Sequence, residues 1–307
     1  MKLILKRSLQ LGTISLLCFG LFKGVEFYRV NKSQRHIARK SQSKEEKSFV
    51  ILVPSYNNAV YCEKNLASIV SQNYQNFRII YIDDASSDTT LEKVVSFVEK
   101  SPLASRIQIL HNEHNKGALE NVYHAVHSCR DEEIVVIVDG DDFLAHENVL
   151  SKLNKVYSSS ATWLTYGNFL DYPGYQQKPL ICKPFPKRVM FNNGFRSHPF
   201  VSSHLRTFYA GLFKLIRRED LSYKGGFFPM AGDVAIMIPM LEMSGKHTRF
   251  IKEVLYLYNR TNPISDHVKN LGLQSECANY VKNLPKYKRL KSLPCAGASS
   301  EPREKVL

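Results

Sequence analysis

The chain reads as an α/β protein with an open, mostly parallel twisted sheet and helices on both faces. Three observations predict it. Short apolar runs with β-branched residues alternate with segments of helical period. The runs are continuous, as strands covered on both faces must be. The connections are short, which suits repeated β-α units.

Phe49–Val53 is an apolar run stopped by Pro54, and Asn65–Gln72 carries Leu66, Ile69 and Val70 as a helix. Phe77–Ile82 is a second strand that meets Asp83-Asp84. Leu91–Lys100, with Leu91, Val94, Val95 and Val98 at helical spacing, follows it. Ile107–Leu110 is a short third strand and Ala118–Ser128 a third helix. Glu133–Val138 is a fourth strand, ending in Asp139-Gly-Asp-Asp142. Beyond about residue 150 the rhythm loosens. Val149–Tyr157 reads as a helix and Thr162–Phe169, with the single Trp163, as a strand. Residues 171–200 are loop-like, with Pro173, Pro179, Pro184, Pro186 and Pro199. Leu205–Ile216 and Asp233–Met243 look helical, the second interrupted by Pro239, and Arg249–Asn259 is a late strand or hairpin. There are no internal repeats.

With 307 residues, 44% hydrophobic and 23% charged, the composition is ordinary for a globular chain. The net charge of +14 raises nucleic acid or an anionic membrane as partners. Its distribution decides between them. Residues 1–48 hold 11 Lys/Arg against 3 Asp/Glu, and residues 282–307 hold 7 against 2. The stretch 49–281 is nearly balanced, at 24 against 23. A nucleic-acid-binding core would carry its own basic face, so no nucleic-acid partner is expected.

Leu9–Phe22 is apolar apart from Gln10, Thr13 and Ser15, with Lys6, Arg7 and Lys23 flanking it. At 14 residues it is shorter than the roughly 17–25 that span a bilayer. Residues 1–25 are read as a signal anchor or membrane-surface helix, with a cleaved signal or a soluble helix as alternatives. Residues 26–48 then form a basic linker, and 282–307 a basic, flexible tail. Eight Lys/Arg lie between Lys23 and Lys47, against Lys2, Lys6 and Arg7 before the apolar segment. That count favours a membrane-associated protein whose main domain faces the cytosol. The six cysteines, at 18, 62, 129, 182, 277 and 295, form no CxxC pair and read as free thiols.

In open parallel sheets, ligands bind beyond the carboxyl ends of the strands. Here those ends run into Pro54-Ser-Tyr-Asn-Asn58, Asp83-Asp-Ala-Ser-Ser-Asp88 and Asp139-Gly-Asp-Asp142. Acids massed on one edge repel unless they hydrogen-bond hydroxyls or bind a cation, and oxygen donors suit Mg²⁺ or Mn²⁺. Asp88, just before a helix, reads equally as a cap. An EF-hand is excluded by Leu144 and Leu150 at loop positions 6 and 12. No GxGxxG or GxxxxGK[ST] exists, so dinucleotide and P-loop readings fail.

Phe49 to about Asp142 resembles the nucleotide-sugar half of inverting family 2 glycosyltransferases of the GT-A fold. The resemblance rests on VILVPSYNN (50–58), IIYIDDASSDTT (79–90), NEHNKGALEN (112–121) and VDGDD (138–142), in that order. It implies a nucleotide-sugar-binding half over 49–145 and an acceptor-binding half over 146–281. It further implies Pro54, Tyr56 and Asn57 at the donor base, with Asp84 as its hydrogen-bond acceptor and Asp83 beside it. Lys116 and Gly117 would line the nucleotide. Asp139-Gly-Asp141 resembles the DxD motif, giving Asp139 and Asp141 as metal ligands and Asp142 as lining. Asp233, near the start of a helix, is the implied general base, although Gly232-Asp233 replaces the common Glu-Asp pair; a helix cap is its plainer reading. His204-Leu-Arg206 is a candidate acceptor or diphosphate contact, with Arg206 suited to a phosphate, and His267 is a candidate metal ligand. The implied reaction is metal-dependent transfer from a nucleoside-diphosphate sugar, a UDP-sugar favoured, to an unknown acceptor hydroxyl. Gln-x-x-Arg-Trp is absent, which implies single additions. A nucleotidyltransferase and a membrane-tethered binding module without turnover are the alternatives.

Overall fold

The computed structural model describes residues 46–175, 182–264 and 270–294. The apolar segment Leu9–Phe22, with the helix expected over 1–25, lies outside them, as does His267. Among the described residues, no helix is long and apolar enough to cross a membrane.

The main sheet has eight strands: β1 (Phe49–Ser55), β2 (Phe77–Asp83), β3 (Ile107–His111), β4 (Ile134–Ile137), β5 (Phe143–Leu144), β6 (Leu164–Tyr172), β7 (Thr207–Tyr209) and the long β10 (Thr248–Asn259). Their order is β3-β2-β1-β4-β7-β6-β10-β5. β8 (Ser222–Tyr223) and β9 (Gly226–Phe227) form a separate small hairpin. β1 pairs in parallel with β2 and β4, and β2 with β3. β7 is antiparallel to both β4 and β6, so β6 again runs in the direction of β4. β10 is parallel to β6, and β5 reverses against it. Six strands therefore share one direction and β5 and β7 oppose it. The expected open, mostly parallel sheet is present, in a mixed form.

The continuous apolar runs have the predicted cause. Phe49, Ile51 and Val53 face one core with Ile79, Tyr81 and Val136. That core is closed by α1 (Cys62–Val70), α2 (Thr90–Glu99) and α4 (Val149–Tyr157), through residues such as Leu66, Val94 and Leu153. Val50, Leu52 and Ile80 face the other core, closed by α3 (Ala118–Ser128) and α7 (Gly232–Ser244). Alternate residues of Phe49–Val53 are thus buried on opposite faces, which is why the run is apolar throughout.

The second half differs from the sequence reading in several places, among them the β8–β9 hairpin and the final helix, for which no element is expected. The helix expected over Leu205–Ile216 is the short strand β7 followed by α6 (Ala210–Phe213). The loop-like 171–200 region contains the short helix α5 (Lys187–Phe191). α7 runs through Pro239 without a break. The final helix is α8 (Leu271–Asn283), and residues 284–294 lie against the body through Leu290 N, which donates to Met243 O at 3.0 Å. Cys62, Cys129, Cys182 and Cys277 are buried free thiols.

Candidate active site

The carboxyl ends of β1, β2 and β4 open into one cavity of about 440 Å³. From the strand-end loops it is lined by Pro54, Tyr56, Asn58, Asp84, Gly117, Asp139, Asp141 and Asp142. This is the size range of small-molecule sites.

After β1, Asn57 adopts the left-handed region at φ 52°. Its Oδ1 accepts from Ser87 N at 2.8 Å, and its own N–H donates to Ser86 Oγ at 2.9 Å. Asn57 thus fastens two loops together and does not line the cavity. After β2 the paired acids separate. Asp83 is fully buried, accepting from Ser86 N at 3.3 Å and hydrogen-bonding His111 Nδ1 at 2.8 Å. It too is absent from the cavity wall. Asp84 organises the next loop: Oδ1 accepts from Asn112 Nδ2 (2.8 Å) and Lys116 N (2.9 Å), and Oδ2 from Gly117 N (2.8 Å). Gly117 sits at φ 84°, which lets the backbone turn both amides toward the carboxylate. The Lys116 side chain lines a different cavity, beside Arg78 and His111. Of the seven residues expected around the base and nucleotide, Pro54, Tyr56, Asp84 and Gly117 converge, with Asn57, Asp83 and Lys116 placed behind or beside them. Asp88 acts as a local brace, its carboxylate accepting from Thr90 N (3.0 Å) and Ala59 N (3.1 Å).

After β4, the acidic turn is held from three sides. Asn65 Nδ2 donates to Asp139 O (3.0 Å) and Asp142 O (2.8 Å). Asp139 N donates to Tyr256 Oη (3.1 Å), and Tyr256 Oη donates to Asp142 Oδ2 (2.7 Å). Asn259 N donates to Asp142 Oδ1 (2.7 Å), and Asn262 Nδ2 to Asp141 Oδ2 (2.7 Å). Asp142 is therefore a buried anchor with both oxygens engaged, while Asp139 and Asp141 face the cavity.

Burial pushes the Asp142 carboxyl well above its ordinary range, and the charges of Asp141 and Asp139 push the same way. Burial also raises Asp139, against the pull of Arg206. Such crowding is the electrostatic condition that a divalent cation relieves.

The reversed strand β7 explains the rest of the wall. Because it runs against β4, its amino end lies at the carboxyl edge of its neighbour. His204 and Arg206, just before β7, are carried there. Arg206 is 6% exposed; its Nη2 lies 3.3 Å from Asp139 Oδ2 and its Nη1 3.6 Å from Asp233 Oδ2. Burial works against the Arg206 charge, but Asp139 and Asp233 outweigh it and raise its pKa. His204 stacks flat on Tyr256, at 4.5 Å and 6°. Burial, with Arg206 and Arg260 nearby, lowers its pKa far enough to keep the ring neutral. Asp139, Asp142 and His204 each offer a ligand atom within 4.8 Å of the others. Two carboxylates and a neutral imidazole fit Mg²⁺ or Mn²⁺ in donor type.

Asp233 lies in the first turn of α7, entered through Ala231 at φ 56°. The helix has no side-chain cap there; Asp233 Oδ1 accepts only from the adjacent Val234 N (2.8 Å). Its side chain is 30% exposed and lines the cavity. Tyr256, Asn259 and Asn262 were not anticipated. Their signal was the one used elsewhere, polar residues gathered where a strand ends.

The family model for glycosyl transferase family 2 matches residues 50–222, more than half of the chain. The chain belongs to this family. As a family 2 glycosyltransferase it is 28% identical over 221 residues to the glycosyltransferase GlyG of Streptococcus pneumoniae, covering 68% of this chain and 70% of GlyG. The chain spans less of two other curated relatives, 50% and 44% of their lengths. Among solved structures, S. aureus TarS 1–349 in complex with UDP-GlcNAc superposes with a TM-score of 0.57. The identity is 18%, over 76% of this chain and 64% of that one. Glucosyl-3-phosphoglycerate synthase from Mycobacterium tuberculosis, in complex with Mn²⁺, UDP and glucosyl-3-phosphoglycerate, superposes at 0.53. Its identity is 12%, over 79% of this chain and 82% of that one. These likenesses show the shared fold and agree with the GT-A arrangement that the motifs imply.

Proposed function

We propose that this glycosyltransferase moves one sugar from a UDP-sugar to an acceptor hydroxyl, with inversion at the anomeric carbon and with a divalent cation. The observation that carries this reading is the convergence on Arg206. One buried guanidinium touches both Asp139, of the acidic turn, and Asp233, at the mouth of α7.

Asp84 argues for the base. Among the described residues, three of the roughly four acceptor sites of its carboxylate are occupied, by Asn112, Lys116 and Gly117. One remains on Oδ2. A single N–H donor, as uracil N3 presents, fits that vacancy; guanine would present two. The UDP in the TarS and synthase complexes supports the same choice.

Asp139, Asp142 and His204, whose ligand atoms lie within 4.8 Å of one another, would hold the cation, and Asp141, on the same turn, would complete the set; when bound it offsets charge on the diphosphate leaving group as a Lewis acid. Asp233 accepts the proton of the acceptor hydroxyl while that oxygen forms the new bond to the anomeric carbon. The bond from that carbon to the diphosphate oxygen breaks, and UDP leaves with its electron pair. Arg206 keeps the Asp233 carboxylate pointed into the cavity. The absence of Gln-x-x-Arg-Trp supports single additions.

The test is to incubate the protein with a set of UDP-sugars and Mn²⁺ and measure UDP release and product. Asp233→Asn is expected to lower turnover by about 10²- to 10⁴-fold while UDP and Mn²⁺ still raise the melting temperature. Asp141→Ala is expected to lose the Mn²⁺-dependent part of that rise. The reading fails if no UDP-sugar turns over and UDP with Mn²⁺ leaves the melting temperature unchanged.

A further inference from the structure

The basic excess of the C-terminal segment is built into a fixed face. Residues 284–294 cross the far end of α7. Tyr287 N donates to Glu242 Oε2 (3.0 Å), and Asn193 Nδ2 donates to Tyr287 O (3.0 Å). The Arg289 guanidinium donates to the backbone carbonyls of Met190 and Phe191. These bonds set the segment beside α5, which also packs against the Gly245–His247 turn. Lys187, Arg188, Lys246, Lys286, Lys288 and Lys291 are all exposed there.

The sequence keeps acids out of this region. Neither 183–194 nor 284–294 contains an Asp or Glu. The two acids that Tyr287 bonds, Glu242 and Asp220, are buried and paired with Arg196 and Arg217, and Asp131, near Pro294, is paired with Lys214. The cations therefore act outward. Among them Phe191 stands 81% exposed at the end of α5. Among the described residues, most of the phenyl ring is left uncovered on this face.

We propose that this face docks onto an anionic phospholipid bilayer. The lysine and arginine heads meet the lipid phosphates, and Phe191 enters the boundary between headgroups and acyl chains. Charge complementarity selects the anionic surface. The protruding ring selects a bilayer over a soluble polyanion, because only the bilayer offers an apolar layer beneath its charges.

The experiment uses the full chain, with vesicles of phosphatidylcholine alone or mixed with phosphatidylglycerol, read by co-sedimentation. Wild type is expected to bind the mixed vesicles and to release as salt rises. The variant K187E/R188E/K286E/K288E is expected to bind them at least about tenfold more weakly. F191A, with charge unchanged, is expected to bind vesicles several-fold more weakly, yet to match wild type on a single-stranded oligonucleotide. The N-terminal apolar segment is present in every variant, so differences report on this face. If charge reversal impairs folding, F191A and the salt titration of wild type still decide the matter. Equal vesicle binding by wild type and both variants overturns the proposal. So does oligonucleotide binding as tight as vesicle binding with no effect of F191A on either. UDP-sugar turnover in lipid-free buffer is expected to be unchanged in F191A, so failure here is separate from failure of the catalytic reading.

Discussion

At the scale of a single residue, Gly140 shows how closely the donor loops are joined. Its N–H donates to Pro54 O at 3.0 Å. A Cβ built there would lie 2.5 Å from Ser55 Oγ and 2.8 Å from Asn58 Nδ2. Ser55 Oγ already accepts from Tyr81 Oη (2.8 Å) and Asn58 Nδ2 (3.1 Å), so it has nowhere to move. Gly140→Ala should therefore push the β1 and β4 loops apart. The expected cost is about 1–3 kcal/mol of stability, read from the denaturant midpoint, with weaker UDP binding by calorimetry. The acids on either side of Gly140 were legible from their place at a strand end. The reason for the glycine was not, because a close approach between loops 85 residues apart leaves no local pattern. The same holds for Asp83 and Asp84. Sequence put both at the base, whereas strand alternation sends one carboxylate inward to His111 and the other to the 112–117 loop.

At the scale of elements, the regular first half was readable because long apolar runs and helical periods repeat in it. The misreading of Leu205–Ile216 has a physical source: a three-residue strand followed directly by a helical turn has no room to display period two. That short strand is what delivers Arg206 and His204 to the cavity. α7 posed a different problem. It is apolar nearly all round between Asp233 and Ser244, and the exception there is Glu242, fully buried and paired with Arg196 at 2.8 Å through both oxygens. Arg196 also donates to Val281 O, which ties α8 to the pair. Arg196→Met alone would leave a buried carboxylate without its partner, at an expected cost of about 3–5 kcal/mol. R196M/E242L, which removes both charges, should recover most of it by denaturant melts. Equal stability of R196M and wild type would count against the pair as the tie between α7 and α8.

At the scale of the whole molecule, the acid balance of the cavity links stability to pH and metal. Burial raises both Asp139 and Asp142, with Arg206 opposing for the first and Asp141 reinforcing for the second. A raised carboxyl favours the folded state below the ordinary carboxylate range. It loses that contribution as pH rises through the raised value. A cation takes the place of those protons, so its stabilising effect must grow in the same direction. The melting-temperature gain from Mn²⁺ is expected to increase from about pH 5 to about pH 8, and to vanish on adding a chelator. A gain independent of pH would place the metal away from these acids.

The length of α7 gives the molecule a ruler. Asp233 stands in its first turn, and Ser244 ends it beside the Lys-rich face. Eleven residues at 1.5 Å each separate the two by roughly 17 Å along the helix axis. On the proposed reading, Asp233 takes the proton at a distance from the Lys-rich face that the helix sets, much as a lamp is fixed by its post. An acceptor rooted in the same support must then carry its hydroxyl on a stalk of matching reach. Its selectivity would be partly a matter of height, and shortening the post by a helical turn would change which stalks fit.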